Sequence, residues 1–300
     1  MTARRHQPAN TYPLYLIPGA VAFLAVIVYP FALNVYYSFT NWQGVGSPSW
    51  AGLANYRQLM KDSQFWQSFQ HSLAMVVAMA VVPTVIGLVV AAALFDFVAK
   101  HFGSKLAAVL RACFYLPQVL PITVAGIVWS WILAPENGSL NELLKAVGLG
   151  GLRQDWLGDP HFALYSVMAV MVWVQLGFPV VIFMSGLQRV DPALHEAAEL
   201  DGTSWWQRFW HVTLPQLRPE IYVVMLWCTI AALKVFGAVY VLTKGGPADA
   251  TDVPSYFSFA TFFEKTQVGY GSAIATVMTV LILALTVVGL SFQTRAEDAR

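Results

Sequence analysis

Six long apolar stretches constrain this chain more than any other feature. They run approximately over 14–39, 71–98, 106–134, 162–187, 219–243 and 272–292, and none carries an acidic residue in its central part. A bilayer core of roughly 30 Å takes about 20 apolar residues of helix. In hydrocarbon the backbone must satisfy its own hydrogen bonds, which a helix does. Charged residues make up only 11% of the chain, against about 25% in an ordinary soluble domain. The expectation is an all-α integral membrane protein with six transmembrane helices over 14–292 and short tails at 1–13 and 293–300. The first stretch is too long for a signal-peptide core and no small-residue cleavage site follows it, so it is expected to stay as a span.

Basic residues set the expected orientation, since positive charge stays on the cytoplasmic side. With the N-terminus inside, Arg4, Arg5, Lys100, Lys105, Arg111, Arg189, Arg208, Arg218, Arg295 and Arg300 are cytoplasmic. Arg57, Lys61, Lys145, Arg153, Lys244 and Lys265 are then outside, and Lys234 lies within a span. Both termini are expected to be cytoplasmic. Lipid is an obligatory partner, whereas a net charge of +1 without a basic run gives no ground for nucleic acid. Cys113 and Cys228 both sit in apolar stretches, where cysteine serves as a small packing residue. Residues 53–69 (LANYRQLMKDSQFWQSF) read as a helix lying along the outer surface.

One stretch does not fit a lipid environment. Residues 195–215, HEAAELDGTSWWQRFWHVTLP, fall between the fourth and fifth apolar runs. Asp191-Pro192 has the form of a helix start, an oxygen-bearing cap followed by proline at the first helical position. A helix is expected from Pro192 to Leu200, with Ala193, Ala197 and Leu200 along one narrow face. Gly202 ends it in a left-handed turn. Ser204 and Gln207 have the spacing of a capping box, so a second short helix follows to about His211. Leu214-Pro215 then turns the chain back toward the membrane. Trp205, Trp206, Phe209 and Trp210 read as interfacial anchors. The pattern predicts a compact helix–turn–helix at the membrane surface. From the residues alone it is equally a docking element or a capped connector.

The stretch resembles the EAA motif of binding-protein-dependent ABC importer permeases: EAA, three residues, Gly, nine residues, then I-x-L-P. Glu196, Ala197, Ala198, Gly202, Leu214 and Pro215 match, with Val212 in place of isoleucine. Further segments are similar to the carbohydrate branch, the maltose and glycerol-phosphate type: YPFALNVYYSFTNW (29–42), GLANYRQLMKDSQFWQS (52–68), RACFYLPQVLPITVAGIVWSWIL (111–133), GLQRVDPALHEAAELDG (186–202) and LKVFGAVYVLTKGGP (233–247). Gly237 stands where relatives often carry aspartate, His195 where tyrosine is common, and Thr203 where alanine is usual. The resemblance implies a type I ABC importer transmembrane-domain fold. It also makes the loop 189–218 the coupling loop that sits in a groove of the ATPase, through Glu196, Ala197, Ala198, Asp201, Gly202, Leu214 and Pro215.

The chain has no Gly-x-x-x-x-Gly-Lys-[Ser/Thr] phosphate loop, so ATP is not expected on it by that route, and no intramembrane carboxylate suits proton coupling. No Gly-x-Ser-x-Gly or His-Glu-x-x-His motif points to an enzyme. The resemblance supplies the engine. It implies a dimer of ATP-binding subunits carrying ATP and Mg, a second homologous permease, and an extracytoplasmic solute-binding protein, in the inner (plasma) membrane of a bacterium or archaeon. No cofactor is expected on this chain. Alternating access driven by ATP would move a di- or oligosaccharide. A glycerol-phosphate importer and a stand-alone secondary carrier are the alternatives.

Within the spans, Lys234 lies about nine residues from the outer end of the fifth, roughly 14 Å along a helix. That depth makes it a candidate for the substrate pathway or for pairing with carbonyls or the sister permease. Gln118 and Gln175 are candidates for the pathway or for bridges between helices. Trp129, with Trp131 and Trp173, is a candidate to stack on sugar rings or simply to pack. Pro83, Pro117, Pro121 and Pro179 mark places where spans are expected to kink or break.

Overall fold

The computed structural model describes residues 12–298, without the side chains of 12–14, 192, 195–196 and 292–298. The expected tails, with Arg4, Arg5, Arg295 and Arg300, therefore lie wholly or largely outside the described residues, as does the Glu196 side chain. Among the described residues the regular structure is helical, with one isolated antiparallel bridge between Thr40 and Trp50. Four unbroken helices are long and apolar enough to cross a membrane: α1 (Tyr15–Ser38), α3 (Ser63–Phe102), α7 (Ala163–Leu187) and the first part of α13, Val268–Ser291, which runs on to Asp298. Between them lie α2 (Ala54–Lys61), α4 (Ser104–Val119), α5 (Ile122–Ile132), α6 (Ser139–Ala146), α8 (Pro192–Leu200), α9 (Trp205–Arg208), α10 (Arg218–Leu233), α11 (Gly237–Leu242) and α12 (Pro254–Phe259).

Two expected spans are not single straight helices. The stretch 106–134 forms α4 and α5, bent by 97° at the break. The cause is Pro121. Its ring forces the preceding Leu120 into extended backbone (φ −67°, ψ 134°), as proline disfavours the helical region one residue earlier. Pro117 stays inside α4. The stretch 219–243 also breaks, at residues 234–236 between α10 and α11. The carbonyl of Val235, freed there, accepts a hydrogen bond from the Ser255 hydroxyl. Non-helical backbone at membrane depth persists only where such a partner exists.

The expected surface helix at 53–69 is also corrected. It stops at Lys61, and residues 63–69 belong to the long α3. Asp62 is the reason, because its Oδ1 accepts from the backbone N–H of Gln64 (2.9 Å) and Phe65 (3.4 Å) and starts a new helix.

The chain divides into two units, one of residues up to 61 with 258–277, the other of 62–257 with residues from 278 onward. In the first, Asn55 Nδ2 donates to the carbonyls of Ser38 (2.8 Å) and Thr40 (2.9 Å), tying α2 to the end of α1. Asn34 Nδ2 donates to Thr276 Oγ1 (3.1 Å) and joins α1 to α13. In the second, α7 packs between α3, α4 and α10 around the buried cluster Leu94, Val180, Phe183, Met184, Leu187, Leu217 and Val224. Lipid tails are as apolar as leucine, so helices associate through close packing and small residues. At Gly186 a Cβ would stand 2.6 Å from Leu217 Cδ2, so the end of α7 and the start of α10 approach closely there and glycine suits the contact.

Candidate functional site

The polar segment between α7 and α10 folds locally for legible reasons. The Asp191 carboxylate accepts from Ala193 N at 2.9 Å and starts α8 with Pro192 in its first turn. Gly202 ends the element at φ +71°, where an L side chain is disfavoured. The turn is sealed by Gly202 N–H to the Glu199 carbonyl (3.0 Å), and by Thr203 N–H (3.2 Å) and hydroxyl (2.5 Å) to the Ala198 carbonyl. A full capping box opens α9. Ser204 N–H donates to Gln207 Oε1 (2.7 Å) and Gln207 N–H to Ser204 Oγ (3.4 Å).

The second helix runs further than His211. A wide π turn over Phe209–Thr213 carries it into the helical Leu214–Gln216, and the chain turns only at Leu217. Pro215 lacks the N–H that a helix interior needs, and the preceding π turn, bonded i to i+5, makes room for it. Phe209 is not an interfacial anchor either. It is 6% exposed and belongs to the core, while Trp206 and Trp210 stay exposed.

The outward surface of this segment is apolar and open. Ala193, Ala197 and Leu200 are all exposed, Leu200 to 90%. Asp201 and Gly202 are exposed beside them, and Ala198, Leu214 and Pro215 are half-buried. Behind this surface the segment is fastened by charge. The Arg189 guanidinium pairs with Glu220 Oε1, joining the end of α7 to the start of α10. Arg208 Nη1 lies 3.6 Å from Glu199 Oε2 and joins the two short helices. Trp205 Nε1 donates to Asp96 Oδ2 at 3.3 Å, reaching α3, where Lys100 Nζ stands 3.6 Å from Asp96 Oδ1. Asp96, Lys100, Glu199, Trp205 and Arg208, with Leu187 and Phe209, line a cavity of about 570 Å³ between the segment and the ends of α3 and α7.

Sequence reasoning missed Asp96, Arg189 and Glu220 as parts of the site. Asp96 fell at the edge of an apolar run, and the Arg189–Glu220 pair spans 31 residues. The only signal was that Arg189 and Glu220 bracket the polar segment at the ends of two spans.

The four intramembrane candidates are held by different neighbours. Gln175 Nε2 donates to Cys228 Sγ at 3.3 Å and bridges α7 to α10. Trp129 meets Trp173 edge to face, with ring centroids 5.4 Å apart. Gln118 Oε1, next to the break at Pro121, is buried without a hydrogen-bond partner. Lys234 is exposed and ends α10, so it sits at a helix break rather than deep in a continuous helix. Gly237 has a packing reason: a Cβ there would stand 2.7 Å from Ile122 Cγ2.

Residues 84–299, which include the whole fastened segment, match the family of binding-protein-dependent transport system inner membrane components. The chain belongs to that family. A probable ABC transporter permease, YurN of Bacillus subtilis, is 35% identical over 280 residues, covering 93% of this chain and 94% of the relative. The trehalose/maltose transport system permease MalF of Thermococcus litoralis is 30% identical over 288 residues, covering 95% and 94%. A solved bacterial ABC transporter that imports the acidic polysaccharide alginate superposes with a TM-score of 0.79 at 20% identity, over 95% of this chain and 96% of that one. This likeness is one of fold. As a binding-protein-dependent permease, the chain is a multi-pass membrane transport subunit and not an enzyme; ATP hydrolysis falls to a partner.

Proposed function

We propose that this permease forms half of the translocation pathway of an ATP-driven sugar importer in the plasma membrane. The observation that carries the coupling role is the segment 189–218, rigidly capped and fastened on one side and presenting exposed Ala193, Ala197 and Leu200 on the other. Small side chains permit close approach by a separate protein surface. In this reading Glu196, Ala197, Ala198, Asp201 and Gly202 seat in an ATPase groove, and Leu214 and Pro215 carry the motion to α10. ATP and Mg reside on the ATP-binding dimer. The bent pair α4–α5 and the broken pair α10–α11 each count as one crossing, which makes six with both termini cytoplasmic. A second homologous permease completes the pathway, and an extracytoplasmic binding protein delivers the sugar.

A neutral di- or oligosaccharide is favoured over an anionic substrate, because Lys234 is the only cationic group in the pathway set of Gln118, Trp129, Gln175 and Lys234. Relatives named for trehalose/maltose and for multiple sugars support the carbohydrate assignment. The test is to tag the chain, purify it in mild detergent from its native cells and identify what accompanies it. An ATPase and a second permease are expected in the complex. A chain that emerges alone and moves solute into vesicles without ATP would overturn the proposal.

A further inference from the structure

Chain connectivity ties the segment 189–218 to α7 and α10, but α3 is remote in sequence. Asp96 and Trp205 are 109 residues apart and yet joined by a hydrogen bond. Both ends of that contact are stiffened. The Trp205 ring stacks on Phe209, with centroids 5.3 Å apart and planes at 14°, and Phe209 is itself buried in the core. Asp96 lies in the π turn Ala93–Val98 of α3 and also meets Lys100. The ion pairs Arg189–Glu220 and Arg208–Glu199, by contrast, stay within the segment and its two attached spans.

We propose that Asp96 is a positioning residue: by holding the Trp205 indole N–H it makes α3 move with the coupling helices, so that ATPase closure is transmitted to a third span. This rests on the coupling role assigned to the segment above. Closure of the ATPase dimer then has to carry α3 along with the segment, and α3 is closely packed on α7, where a Cβ on Gly87 would stand 2.6 Å from Pro179. That load restrains hydrolysis in the resting complex. Removing the link lifts the restraint and leaves the exposed Ala193, Ala197 and Leu200 untouched.

The experiment uses the complex co-purified with the tagged chain, in nanodiscs, with MgATP as the probe. Trp205→Phe keeps the ring stack and deletes the donor. Asp96→Ala deletes the acceptor, whereas Asp96→Asn keeps an acceptor oxygen and removes the charge facing Lys100. Trp205→Phe and Asp96→Ala are expected to raise kcat for hydrolysis about fivefold, the factor that a hydrogen bond of ordinary net strength supplies. KM for ATP should not move, the ATPase should stay bound, and Asp96→Asn should behave as wild type. If all three variants match wild type, or Asp96→Asn behaves like Asp96→Ala, the positioning role is overturned and the coupling reading stands. If the ATPase dissociates from the variants, Asp96 serves docking and not transmission. If no ATPase accompanies the wild-type chain, both readings fall.

Discussion

Arg189 and Glu220 close the base of the polar segment: the guanidinium at the end of α7 grips the carboxylate in the first turn of α10. The intervening residues are thereby a loop with a fixed mouth, not a free connector. Glu220 accepts this charge with its side chain only 11% exposed, and its second oxygen is buried without a hydrogen-bond partner. Gly186 makes the approach possible, because a Cβ there would also press on Glu220 Cγ at 3.0 Å.

Arg189→Ala should therefore destabilise the chain more than Lys100→Ala does. The lost partner leaves a mostly buried carboxylate unpaired, whereas Lys100 is an exposed i,i+4 partner of little worth. Arg189 itself is well solvated, so the expected cost is about 1 kcal/mol, below the usual range for a charged hydrogen bond. The readout is apparent Tm in detergent, and equal shifts for the two variants would count against the closed mouth.

At Gly202 the demand is conformational alone. Its φ is +71°, and a Cβ would meet nothing within 4 Å, so no clash accompanies a substitution. Gly202→Val should cost about 1–2 kcal/mol of backbone strain and disorder the turn. Gly202→Asn, which tolerates the left-handed region, should be mild. Both should insert normally into the membrane, and only the valine variant should lose its co-purifying ATPase. Equal retention by both variants would remove the turn from the docking argument.

For Gly237 the demand is space. Gly237→Asp would push against Ile122 and should destabilise by about 1–3 kcal/mol, as overpacking does. Adding Ile122→Ala should recover part of the loss. Thermal melts of the single and double variants give the answer, and additive losses would refute the contact.

Gln175 offers a way to separate a helix bridge from a pathway group. Gln175→Met keeps the length and drops the donor to Cys228. As a bridge its loss should cost about 0.5–1 kcal/mol and leave transport by the assembled complex intact. Near-wild-type stability with abolished transport would instead place Gln175 on the pathway.

Much of this protein was legible without coordinates, and the reason is locality. The α8 start at Asp191, the stop at Gly202 and the Ser204–Gln207 capping box are decided within four or five residues, so spacing alone predicts them. The apolar runs are local in the same sense, since the bilayer imposes a length and helices satisfy it. Proline warned of a break near Pro121, though not that the chain would turn through 97° there.

What spacing does not carry is the choice of partner. The break at 234–236 has no proline within it and is sustained by Ser255, about 20 residues on. Phe209 looked like its tryptophan neighbours, and only packing sent it inward while Trp206 and Trp210 stayed out. Asp96 meeting Trp205, Arg189 meeting Glu220 and Gly186 meeting Leu217 all join residues that sequence separates. By itself the sequence determined the apolar runs, the capped segment and the family. The tertiary structure decided how that segment is held, because those contacts depend on which helix ends the packed bundle brings together.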